Sequence, residues 1–112
     1  MASTPEGKVK DQVKRLLKKY GAYQHWPVQT GYGAPCLDCH GCYNGLYFAV
    51  ETKAPGKRLT PRQELTVQDI ESTGGAVFVV GEVATKLPGG TRVTYSGMKE
   101  LETWLMMNAV AQ

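Results

Sequence analysis

The 112-residue chain reads as a single α/β unit in the order helix, three strands, helix, strand, followed by one more strand and a C-terminal helix. Three observations predict this. Thr4-Pro5 and Thr60-Pro61 each pair a capping hydroxyl with a proline suited to the first helical position, and each stands ahead of a segment that ends in glycine. Between these helices Asn44-Gly45 separates two short runs, a strong hairpin signal. After the second helix the unbroken run Ala76-Val77-Phe78-Val79-Val80 has the character of a buried strand.

The first helix carries Val9, Val13, Leu16, Leu17 and Tyr20 on one stripe, with Lys8, Lys10, Lys14, Arg15, Lys18 and Lys19 mostly off it, and Gly21 suits its end. Residues 23–29 read as a strand that Pro27 demotes toward an edge or bulge. Gly31-Tyr32-Gly33-Ala34-Pro35 reads as a turn, residues 36–39 as a short second strand, and residues 46–53 as a third, closed by Pro55-Gly56. The second helix runs to about Thr73 and stops at Gly74-Gly75. Pro88-Gly89-Gly90 is a turn and residues 91–95 a short extra strand. Ser96 is placed to cap the last helix, which carries Met98, Leu101, Trp104, Leu105 and Ala109.

Length allows one compact domain, and a hydrophobic fraction of 42% allows a core. No run of 18 apolar residues exists to span a membrane. The N-terminal residues lack the apolar stretch of a secretory signal, so a reducing cytoplasm is expected, and three cysteines make a poor disulfide framework. Residues 1–62 hold ten Lys/Arg against four acids, whereas residues 63–112 hold three against six. A basic half of this kind suits a polyanion such as nucleic acid, or simply a solvated helix face.

Glu51-Thr52-Lys53 places a carboxylate and an ammonium two residues apart on a strand, hence on one face. A hard divalent cation takes oxygen ligands, which the Glu51 carboxylate and the Thr52 backbone carbonyl can supply. Lys53 can then hold or deprotonate an attacking water, or stabilise charge on a phosphate. Alone, the triplet is as well read as an exposed ion pair. Asp38 strengthens the first reading: it lies thirteen residues before Glu51, across the hairpin, where two carboxylates on adjacent antiparallel strands converge on one cation. The competing account is a turn aspartate bonding its own backbone.

Gly33-Ala34-Pro35-Cys36-Leu37-Asp38, Glu51-Thr52-Lys53, Leu59-Thr60-Pro61-Arg62-Gln63 and Gly74-Gly75-Ala76-Val77-Phe78-Val79 together resemble the VRR-NUC family of the PD-(D/E)XK nuclease superfamily. The resemblance covers roughly residues 5 to 80, with residues 88–112 as a C-terminal extension. It departs from the family where Pro and Asp are usually adjacent: here Cys36 and Leu37 stand between Pro35 and Asp38.

The resemblance implies a restriction-endonuclease-like core and an endodeoxyribonuclease, a phosphodiester hydrolase dependent on Mg²⁺ or Mn²⁺. Asp38 and Glu51 are its expected metal ligands, together with the Thr52 carbonyl, and Lys53 is the catalytic base or charge stabiliser. It also implies an acid on the first helix as a further ligand, matched by Glu6 on the apolar stripe, although the helix dipole alone favours an acid there. Gln63 matches a glutamine that approaches the site, yet Thr60-Pro61-Arg62-Gln63 is equally a complete capping box. Stand-alone members, common in phages and bacteria, act on branched DNA such as four-way (Holliday) junctions.

Lys10, Lys14, Lys57, Arg58 and Arg62 are candidate phosphate contacts. Paired cuts on a four-way junction call for two sites, hence a homodimer. The last helix, apolar over more than one face, offers Trp104, Met106 and Met107 for such a contact.

Three other readings compete. A non-catalytic DNA-binding module explains the basic helix but not the Asp38/Glu51/Lys53 set. Cys36-Leu37-Asp38-Cys39-His40 matches a c-type haem attachment motif, which needs export. Cys36, Cys39, His40 and Cys42, with His25, form a candidate zinc set.

Overall fold

The computed structural model describes residues 4–28, 36–54 and 57–109, without the side chains of 82–86 and 92–95. The Gly31–Pro35 and Pro55-Gly56 turns read from the sequence lie wholly or mainly outside the described residues, as do Gln29 at the end of the first expected strand and Val110. The order is α1 (Pro5–Tyr20), β1 (Tyr23–His25), β2 (Cys39–Tyr43), β3 (Leu46–Lys53), α2 (Pro61–Ser72), β4 (Ala76–Leu87), β5 (Gly90–Ser96) and α3 (Met98–Met107). The five strands form one sheet in sequence order, antiparallel throughout except for β3 and β4, which α2 connects in parallel.

The local signals act as their chemistry requires. The Thr4 side chain accepts from the Gly7 amide at 3.0 Å, and Gly21 ends α1 at φ 74°. Asn44 and Gly45 both take positive φ, 50° and 83°, which a two-residue type I′ hairpin demands. That tight turn pairs Tyr43 with Leu46 and so runs the ladder up to Cys39 and Val50.

Several boundaries differ from expectation. β2 is Cys39–Tyr43, not residues 36–39, because the two-residue turn starts pairing at once and draws the strand toward it. β1 stops at His25, two residues before Pro27. β4 continues beyond Val80 through Gly81 to Leu87 and forms a long hairpin with β5. Ser96 does not cap α3: it ends β5, and its hydroxyl donates to the Gly81 carbonyl at 3.3 Å. Gly97 holds the cap position at φ 83°, packed so closely on the Val79 backbone that a side chain there has no room.

One face of the sheet carries the core. Val9, Val13 and Leu17 of α1 and Leu101 and Leu105 of α3 are fully buried with Phe48, Val50 and Val80. Trp104 packs its ring against Tyr43, Phe48 and Phe78, with centroids 5.6–6.1 Å apart. α2 belongs to the other face, and none of its residues is buried. No described helix is long and apolar enough to cross a membrane.

Candidate active site

The hairpin register builds the site. Cys39 pairs with Val50, so Asp38, one residue before β2, stands opposite Glu51. The Asp38 amide donates to Glu51 Oε1 at 3.1 Å, and Asp38 Oδ2 accepts from the Thr52 amide at 2.9 Å and the Thr52 hydroxyl at 2.7 Å. Thr52 is fully buried, and Asp38 satisfies its hydroxyl, as a buried donor requires.

Lys53 lies beside Glu51 as strand periodicity predicts, Nζ to Oε2 at 3.4 Å. Gln63 reaches in from the first turn of α2: its Oε1 accepts from Lys53 Nζ at 2.6 Å, and its Nε2 donates to Glu51 Oε2 at 2.8 Å. The same Oε1 accepts from the Thr60 amide at 2.9 Å, while the Gln63 amide donates to Thr60 Oγ1 at 3.1 Å. The capping box and the approach to the site are therefore both present, made by one side chain.

These groups line an open cavity of about 480 Å³ together with Glu6, Lys10, Lys14, Trp26 and Pro27. Glu51 is 3% exposed. Burial pushes its pKa up and the Asp38 charge adds to this; the Asp38 amide and Lys53 only partly offset both. Two carboxylates held together, one of them buried against its own charge, form a site that a cation stabilises.

Glu6 stands on the cavity wall, but its side chain is 46% exposed and pairs with Lys10 at 3.7 Å. Among the described residues no three His, Cys, Asp or Glu side chains group as a metal cluster. Glu6 is thus not drawn in with Asp38 and Glu51 as a third ligand: it stays half in solvent, held by the i,i+4 pair one turn along its own helix. Two carboxylates and a carbonyl nonetheless suit Mg²⁺, which keeps several waters and takes one or two protein carboxylates.

Strand alternation undoes the zinc and haem readings. Cys39 is fully buried on the core face, its thiol pushed up to about 12 by burial, whereas His40 and Cys42 belong to the opposite face and Cys42 is exposed. His25 stands against His40 only as a ring contact, centroids 5.2 Å apart.

Of the candidate phosphate contacts, Lys57, Arg58 and Arg62 are exposed where the chain enters α2. Lys10 and Lys14 instead turn into the cavity. Lys10 lies 4.0 Å from Asp38 Oδ1, and the Lys14 ammonium sits 5.0 Å over the Trp26 ring. Sequence reasoning passed over Lys10 as a neighbour of the carboxylates, and over Thr52 Oγ1 and Trp26. The spacing of Lys10 from Glu6 and the core-facing parity of Thr52 were the available signals.

No protein-family model matches the sequence, and no curated protein matches it either. Among solved structures, the chain is similar to Hjc, a Holliday junction resolvase from Archaeoglobus fulgidus. The TM-score is 0.55 at 14% identity, with 89% of this chain and 97% of that chain covered. The fold is restriction-endonuclease-like. The order helix, three strands, helix, strand read from the sequence is the order of that core; Glu51 and Lys53 stand at the end of β3 within it, and Asp38 beside them just before β2.

Proposed function

We propose that the chain is a metal-dependent DNA endonuclease acting on branched DNA, of the Holliday-junction-resolvase kind, with the whole chain as one nuclease unit. The observation that carries this is the convergence of Asp38 and Glu51 across a hairpin, with Lys53 3.4 Å from Glu51, in a cavity walled by further lysines. The resolvase-like fold supports the choice of DNA and of a branched substrate.

Asp38, Glu51 and the Thr52 carbonyl are the groups that would hold Mg²⁺ or Mn²⁺. The Thr52 amide points at Asp38, and in an extended strand the carbonyl of the same residue follows its amide to that side. Bound there, the cation would supply Lewis-acid polarisation of the phosphoryl oxygen and a more acidic water. Lys53 does the protein's share. Gln63 fixes its Nζ, so the ammonium is aimed before substrate arrives, to stabilise charge on the phosphate or to hold the attacking water. Hydrolysis forms a bond from the water oxygen to phosphorus and breaks one phosphorus–ester bond. Lys57, Arg58 and Arg62 position the strand by its phosphates.

A homodimer supplies the two sites that paired cuts need. Trp104 packs its ring on the core but is only partly buried, and with Met107 it lines an open surface pocket, so it stays a candidate for that interface. Met106 and Met107, 62% and 79% exposed, remain available.

A cleavage panel of linear, flapped and four-way substrates, with Mg²⁺, Mn²⁺ or EDTA, tests the reading. Metal-dependent cutting of branched substrates is expected. Cutting that survives EDTA, or DNA binding with no cutting under any metal, overturns it, the latter in favour of a binding module.

A further inference from the structure

The cavity has one wall that phosphodiester hydrolysis does not use. Trp26 and Pro27, in the segment just after β1, line the cavity together with Glu51, Lys53 and Gln63. The indole is held in place from its edge: Trp26 Nε1 donates to Gln24 Oε1 at 2.8 Å, and Gln24 Nε2 in turn donates to the Lys14 carbonyl of α1 at 3.3 Å. Its one polar atom is therefore satisfied; part of the ring packs on the core, and what it has left to offer the cavity is π surface. The Lys14 ammonium lies over the ring, 5.0 Å from its centroid, and also lines the cavity. A cation on a flexible stem is a displaceable cover: it can swing to a phosphate and yield the ring to a flat apolar group. A phosphate needs no such wall. A nucleotide base does, but only one that shows its face, since paired bases within a duplex are stacked on one another and offer edges alone.

We infer that Trp26 is a stacking platform for an unstacked base adjoining the scissile phosphate, with Lys14 moving from the ring to the backbone. The site then selects DNA with an unpaired nucleotide at the cut, such as a flap, a gap or a junction centre. This rests on the nuclease reading and names the feature of DNA that the same site takes.

The test uses binding rather than cutting. Trp104→Phe leaves Trp26 as the chain's one indole. With Ca²⁺ replacing Mg²⁺ at low salt, three hairpin duplexes are titrated: blunt, with a short single-stranded overhang, and with the same overhang carrying an abasic sugar at its first position. The overhang should quench Trp26 fluorescence and bind on the order of tenfold tighter than the abasic probe, the size of one base on an aromatic ring. The abasic probe should behave like the blunt one. Trp26→Leu, which keeps apolar volume without a π face, should remove the preference, and Trp26→Phe should keep part of it. Melting curves show whether each variant is folded, and the wild-type comparison of the two overhangs stands even where Trp26→Leu is not. Equal affinity for base and abasic overhangs, or binding without quenching, overturns the platform and leaves the nuclease reading intact. Failure to bind any of the three overturns that reading, and the platform with it.

Discussion

Gln63 offers the sharpest measurement, because one side chain serves both a helix cap and the site. Gln63→Leu keeps the helix and most of the volume but removes bonds to Lys53 Nζ, Glu51 Oε2 and the Thr60 amide. Thr60→Ala removes only the cap bond from the Gln63 amide. A lost cap costs about 1 kcal/mol. Bonds to charged partners are worth about 1.5–3 kcal/mol each, and an open cavity places these two at the low end, so even before the Thr60 amide bond is counted Gln63→Leu should cost at least about 3 kcal/mol. At about 4 °C per kcal/mol for a domain of this size, the melting point should fall by roughly 12 °C or more in Gln63→Leu and roughly 4 °C in Thr60→Ala. The double variant should melt lower than Gln63→Leu, since the leucine keeps the backbone amide that donates to Thr60 Oγ1 and Thr60→Ala removes that bond as well. Calorimetric melts at neutral pH in EDTA decide it. Gln63→Leu melting within a degree or two of Thr60→Ala would show the glutamine to be a cap and nothing more.

The remaining expectations concern charge, chemistry and assembly. Glu51 has a raised pKa, so the folded chain binds its proton more tightly than the unfolded one. Stability from this group is full below the ordinary glutamate pKa and falls as pH rises through the raised value. Denaturant unfolding in EDTA should show that decline in wild type and lose it in Glu51→Gln; an identical pH profile in the two refutes it. Mg²⁺ should raise the melting temperature more at pH 8 than at pH 5, and in Asp38→Asn at neither. Lys53→Ala should lower turnover while titrated metal affinity persists, and Lys53→Arg should not rescue it, being a poorer base and a wider group; normal turnover in Lys53→Ala reduces the pair to a salt bridge. Light scattering should give a dimer mass that Met106→Glu with Met107→Glu halves; a wild-type monomer at micromolar concentration, with or without junction DNA, refutes the pairing.

Much of this was legible in the residues because it rests on short-range rules. The Thr-Pro caps, the Asn44-Gly45 turn and the spacing of Glu51 and Lys53 each depend on a few neighbouring positions, and the structure keeps all of them. What failed depends on register. The limits of β2 follow from where the turn begins pairing, and that decides that Cys39 faces the core while Cys42 faces away. A run of Cys, Cys, His and Cys looks like a ligand set until alternation divides it. Gln63 was read as two alternatives, yet an amide has an acceptor and a donor and here uses both. Lys10 and Lys14 read as phosphate contacts on the basic helix. Only the packing of α1 against the sheet turns them toward the carboxylates and the indole.

The second helix reverses the usual relation between scaffold and site. No residue of α2 is buried, so its own packing holds it weakly, and its first turn is fastened to β3 through Gln63 by the charges of Glu51 and Lys53. Here the candidate site anchors the helix rather than the reverse. Each change at these groups, whether protonation of Glu51 or a movement of Lys53 away from Gln63, slackens a tether on twelve residues that carry Arg62 outward. Amide hydrogen exchange along α2 therefore works as a remote gauge of the centre's charge state, faster when Glu51 is neutral and slower when both tethers hold.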